Sequence, residues 1–197
     1  MTKSLEAVRS GEVIVFPTET FYGLGTDAFN EVAVAKVASL KGRDPNNPIL
    51  LIISDLEMLK RVVTELPPIA ERLMDRFWPG PLTLVLPAKE ELPILLLNRK
   101  GAVGVRISSH PVASALVKGL GHPLTATSAN PSGQEPARTV AEARAYFSGK
   151  VRIFFDGGRL EGKKGSTVVE ISRDRLEIIR EGEISSEELE GVLAPAR

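Results

Sequence analysis

Cysteine is absent from all 197 residues. That removes disulfides, thiolate metal sites and cysteine nucleophiles together, and it suits a reducing compartment. Only two histidines occur, His110 and His122, too few by themselves for a typical multi-histidine metal centre. Net charge is lacking too, since 25 Lys and Arg balance 25 Asp and Glu. No global basic field therefore drives sequence-blind binding of nucleic acid, and any polyanion site must be local. Aromatics make up 5% of the chain, which leaves few stacking platforms for single-stranded RNA. No apolar run reaches membrane-spanning length, and the opening MTKSLEAVRSGE has no apolar core of signal-peptide type; both point to a soluble, cytoplasmic protein with no membrane partner. What is present is a 43% hydrophobic content, enough to bury a proper core in one domain over 1–197.

The stretch around which the chain is organised is 13–25, VIVFPTETFYGLG. Val, Ile and Phe favour a half-buried pleat, whereas Pro17 cannot supply a ladder N–H. The pattern predicts a strand over 13–16, a polar break at Thr18, Glu19 and Thr20, and a return through Phe21 and Tyr22 to Gly25. That break is either an ordinary turn or the wall of a pocket. Glu19 receives no chemical role.

A helix over 2–10 with Gly11 as its cap precedes this stretch, and a helix over 27–40 follows and delivers Lys41. KGRDPNNP, 41–48, then leads into the apolar run 49–53. Lys41 and Arg43 flank one glycine, so they either complement a helix C-terminus or converge on one anion. Ser54-Asp55 predicts a helix through Val63, and Pro67-Pro68 opens another over 69–77. Trp78 in WPGP reads as a packed structural corner and Thr83 as an ordinary strand residue. Residues 90–101 read as loop with a short apolar segment, and 102–107 as a strand. Arg106 interrupts that strand, and either faces solvent or is held by a partner, because an unpaired buried guanidinium is costly. A helix from Ser109-His-Pro to Leu120 comes next. In PLTATSANPSGQEP, 123–136, the hydroxyl and amide groups of Ser128, Asn130 and their neighbours form a plain turn or present donors to a phosphate or carboxylate. Thr139 caps a helix to Phe147, strands follow over 151–155, 168–171 and 176–179, and an acidic helix spans 185–193. Between them, the basic loop 162–167 with Lys163 and Lys164 is a candidate lid.

Each cluster of Thr, Ser, Asn, Lys or Arg falls where a strand begins or ends. Gathered in one cleft, such groups suit binding and polarising phosphates and a small acid. No GxxxxGK[ST] or GxGxxG motif is present, so the familiar nucleotide folds are not signalled.

FPTETFYGLG, KGRDPNNP, WPGPLT, VGVRISSHPVA, TATSANPSG, GSTVVEI and IIREG, in that order from Phe16 to Gly182, resemble the YrdC-like family, the threonylcarbamoyl-AMP synthases. The resemblance implies one α+β domain with a twisted mixed, largely antiparallel sheet flanked by helices and a positively lined concave cleft. It implies a nucleotidyl transfer that joins L-threonine, bicarbonate and ATP into threonylcarbamoyl-adenylate and pyrophosphate, with Mg²⁺ arriving on ATP. Downstream proteins then pass the threonylcarbamoyl group to the tRNA adenosine next to the anticodon. Carried over by motif, Thr20, Arg106 and Ser166 attend threonine, Arg106 at its carboxylate. Lys41, Arg43, Asn47, Ser128, Asn130 and Arg180 attend ATP, with Lys41 and Arg43 as the catalytic pair. Many members have a His where this chain has Ile52. About fifteen residues follow Gly182, as in the short, single-domain form. The rival reading is an RNA-binding or ribosome-assembly factor that uses the same cleft, with weak RNA binding.

Overall fold

β1 (Ile14–Pro17) and β2 (Tyr22–Gly25) form an antiparallel hairpin in which Ile14 pairs with Gly25 and Pro17 with Tyr22. The first strand runs one residue further than its sequence suggests. Its other neighbour, β7 (Ile153–Phe154), pairs only with Ile14 and Val15, so the N–H that Pro17 lacks is not needed there. The Phe16 ring lies across the two glycines of β2. A Cβ at Gly23 would come within 3.0 Å of that ring; at Gly25 it would come within 2.8 Å of the ring and 2.2 Å of the Thr125 carbonyl. The GLG sequence is thus the condition for stacking three backbones closely here.

This computed structural model describes residues 2–44, 47–172 and 175–193; Pro45 and Asn46 of the KGRDPNNP stretch and the terminal APAR lie outside them. α1 (Thr2–Arg9) precedes the hairpin. α2 (Glu31–Lys41) starts at Glu31 rather than Asp27, because Asn30 caps it through the Ala33 N–H. Asp27 is instead held at the sheet margin by a bridge to Leu124 and by a 2.8 Å contact with His122. β3 (Leu50–Ile52) follows. α3 (Leu56–Leu59) is a single turn, capped by Asp55 as its sequence predicts but not reaching Val63. Val63 leaves to bridge Ala88, and the Thr64 N–H goes to the Pro87 carbonyl. Then come α4 (Pro68–Phe77), β4 (Leu82–Pro87), β5 (Ala102–Arg106), α5 (Pro111–Leu120) and β6 (Leu124–Ser128). α6 (Val140–Phe147) carries the Thr139–Glu142 capping box. β8 (Thr167–Ser172), β9 (Arg175–Arg180) and α7 (Ser186–Leu193) complete the described chain.

The strands join in one sheet of order β7-β1-β2-β6-β3-β5-β4-β8-β9. β1–β7, β3–β5 and β4–β8 are parallel and the other neighbours antiparallel, which is the mixed, largely antiparallel α+β architecture the sequence leads one to expect. α1 packs on α5, α5 on β1 and β6, α2 on β2, and α4 on α7. Phe16, Tyr22, Leu24, Leu51, Leu73 and Phe147 are fully buried in the core, each contributing about 1.5–3 kcal/mol by burial. A second, smaller cluster of Val85, Ala102, Val168 and Leu50 stands apart from that core. Strand alternation puts Val85 and Ala102 on the face opposite Leu84 and Val105, which is also the face of Gly104 and Arg106. Leu50 fills the space that Gly104 leaves, since a Cβ there would lie 2.4 Å from its Cδ2. This face is the floor of the cleft. No helix among the described residues is long and apolar enough to cross a membrane.

Candidate active site

A cleft of about 460 Å³ opens on this face, and Thr20, Lys41, Arg43, Asn47, Arg106, Ser128, Asn130, Ser166 and Arg180 all line it. The nine side chains that the family resemblance assigns to threonine and ATP therefore meet at one place. The volume suits a nucleotide-sized ligand.

The first wall is the tip of the β1–β2 hairpin. Thr18 closes it by donating its N–H and hydroxyl to the Phe21 carbonyl at 3.2 and 2.7 Å. Its oxygen also lies 3.1 Å from the Thr20 hydroxyl and accepts the Thr20 N–H. The break after Pro17 is thus a turn and a pocket wall at once, with Thr20 pinned and buried. Glu19, which received no role from the sequence, forms an ion pair with Arg106 and accepts from the Ser108 hydroxyl. Arg106 is accordingly buried with a partner, not turned to solvent.

Opposite stands the C-terminus of α2. Gly42, in the left-handed region at φ 60, ends the helix and turns the chain. Lys41, the last helical residue, is 5% exposed. Its Nζ donates to the carbonyl and hydroxyl of Ser128 at 2.8 and 3.1 Å, and to the carbonyl and side-chain oxygen of Asn130 at 2.9 and 3.2 Å. Its own carbonyl accepts the Ser132 N–H. An ammonium has three protons, so these four oxygens saturate it and the SAN segment is wrapped around it. Asn130 braces the same loop through the Gln134 carbonyl at 2.7 Å. Arg43 reaches the Thr127 hydroxyl at 2.8 Å and ties its own loop through Asn47 and the Pro48 carbonyl.

The third wall combines β8, β9 and the loop between β7 and β8. Arg180 Nη2 donates to the Ser166 carbonyl at 2.7 Å, and Thr83 in β4 meets the Ser166 hydroxyl at 2.9 Å. Thr83 is therefore a fully buried support for a site residue and more than an ordinary strand position. The loop before Ser166 is tethered, because Glu183 accepts the N–H groups of both Lys163 and Lys164 at 2.6 Å. Gly162 packs directly on the hairpin: a Cβ there would lie 2.2 Å from the Thr20 carbonyl. Ile52 is fully buried in register with Arg106, while Leu50 is the β3 residue that lines the cleft.

Four cations share this space. Burial, then the nearby Arg43, pushes Lys41 down to about 8. Burial, then Arg180, lowers both Arg43 and Arg106 to about 10. Burial alone lowers Arg180. All four remain charged near neutrality, and an anion placed among them relieves both their desolvation and their repulsion. Thr83 was not legible as a site residue, while Thr18 and Glu19 stood in the polar break read as a turn or pocket wall and Thr127 among the hydroxyl neighbours of Ser128, none of the three with a role of its own.

A family model described as telomere recombination, Sua5_yciO_yrdC, matches residues 6–182. A threonylcarbamoyl-AMP synthase of Pyrococcus abyssi is 37% identical over 190 residues, 96% of this chain and 56% of its own length. One of Bacillus subtilis is 41% identical over 193 residues, 95% of this chain and 55% of its own length. The chain thus spans about half the length of both. The crystal structure of P. abyssi Sua5 complexed with L-threonine matches with a TM-score of 0.93 at 37% identity, covering 97% of this chain and 56% of that one. The matched region takes in every wall of the cleft, and the chain belongs to the Sua5/YciO/YrdC family.

Proposed function

We propose that the cleft makes threonylcarbamoyl-adenylate: L-threonine, bicarbonate and ATP enter, and threonylcarbamoyl-AMP, pyrophosphate and water leave. The observation that carries this reading is the convergence of nine polar and cationic side chains from separate segments on one cleft. The names of the relatives and the threonine bound to one of them support the choice of substrate. An RNA-binding role is not favoured.

Arg106 takes the threonine carboxylate, since a guanidinium fork matches a carboxylate in shape and charge. Thr20 and Ser166, both with hydroxyls held by neighbours, complete the threonine side. Arg43, Asn47, Ser128, Asn130 and Arg180 hold ATP. Lys41 adds its charge and keeps Ser128 and Asn130 in place. When the carbamate oxygen of carboxylated threonine displaces pyrophosphate from the α-phosphorus, negative charge builds on the phosphate oxygens, and the fixed cations stabilise it without reorganising. Mg²⁺ enters as part of the MgATP substrate, on the phosphate oxygens. The adenylate then passes to the proteins that modify tRNA.

The test is pyrophosphate release by the purified protein. The reading requires release to depend on threonine and bicarbonate together; ATP turnover indifferent to threonine would contradict it.

A further inference from the structure

Resting on that reading of the threonine side, we infer that Glu19 is a positioning residue that sets the guanidinium of Arg106 for the substrate carboxylate. Arg106 lines the cleft and Glu19 does not, so the carboxylate acts from behind the arginine and leaves the cleft side of the guanidinium to the ligand. Both side chains are nearly buried, 7% exposed for Arg106 and 13% for Glu19. In that setting a guanidinium holds one orientation only if a fixed anion takes one of its edges. Glu19 is itself fixed. It sits between Thr18 and Thr20, whose hydroxyls lie 3.1 Å apart and bond each other, and the Ser108 hydroxyl donates to its second oxygen. Ser108 in turn accepts the His110 N–H at 3.2 Å, at the entry to α5. The chain of support runs from the α5 N-terminus through Ser108 and Glu19 to Arg106, and each link is a hydrogen bond or ion pair.

Kinetics and direct binding on Glu19→Gln test this, with Ser108→Ala as the variant that leaves the ion pair in place but frees Glu19 from its brace. In Glu19→Gln, the threonine KM and the calorimetric threonine Kd rise at least tenfold while the ATP KM stays within twofold. Ser108→Ala shifts the same two constants in the same direction by a smaller factor. Unchanged threonine constants in both variants would overturn the assignment. So would a proportional rise in both the ATP and threonine constants with a lowered melting temperature, because that marks a merely structural role. If Glu19→Gln does not fold, Ser108→Ala decides alone by the same criteria. A natural protein that neither binds threonine nor releases pyrophosphate with it would sink the underlying reading and this one together, an outcome distinct from a working protein whose variants behave normally.

Discussion

The ammonium of Lys41 is enclosed by four oxygens of Ser128 and Asn130, all within 3.2 Å. The two motifs that supply the most conspicuous polar groups, one ending a helix and the other ending a strand, are therefore a single unit joined through one buried proton carrier.

A pH dependence follows. Lys41 has its pKa lowered to about 8, so above that value the neutral amine donates two protons to four oxygens and the loop loses a tie. ATP binding is expected to weaken with a one-proton slope as pH rises through about 8, measured as the ATP Kd by calorimetry. The stability effect has the opposite sign. Between the folded value and the unfolded value near 10.5 the unfolded chain binds more protons, so this group adds stability as pH rises from about 8 and withdraws it as pH falls through 8.

Arg43→Ala removes a charge and several loop contacts but no core volume. Turnover should fall by about 10²-fold or more, the scale for losing one group aimed at developing charge, with the melting temperature lowered by only a few degrees. Circular dichroism melting alongside kcat checks both halves of the statement.

The sequence carried the hairpin and several of the capping residues because each is local: Asp55, His110 and Thr139 cap helices next to them. Part of the cleft lining was legible for a similar reason, since small polar groups stood out against apolar strands at Thr20 and Ser128, while Ser166 and Arg180 came from the family resemblance. Glu19–Arg106 and Thr83–Ser166 were not legible, because each joins segments far apart in the chain that meet only through sheet order. α3 stopped short for the same cause, as the bridge from Val63 to Ala88 outcompetes a helical preference worth only tenths of a kcal/mol per residue, about 0.7 at most for ordinary residues.

Gly162→Ala places a methyl 2.2 Å from the Thr20 carbonyl oxygen and 2.7 Å from its Cα, both backbone atoms that cannot swing aside. The loop must lift from the hairpin. The threonine Kd should rise about tenfold, the equivalent of ~1.4 kcal/mol, with little change for ATP, as calorimetric titration of each ligand will show.

Thr83→Val keeps shape and removes the nearer of two partners of the Ser166 hydroxyl, leaving Arg180 at 3.3 Å. A stability loss of about 1 kcal/mol is expected for one buried hydrogen bond, lowering the melting temperature by roughly 2–4 °C in a chain of this size. Threonine should bind less tightly in the same variant.

The most direct test of a shared threonine and nucleotide cleft is the melting temperature with threonine, with MgATP, and with both. A ligand at a hundred times its Kd adds about 2.7 kcal/mol to a native state that alone binds it, so each ligand should raise the melting temperature by about 5–10 °C, and the pair by more than either. A melting temperature unmoved by threonine with and without MgATP, but raised by RNA in a salt-sensitive way, would contradict the account.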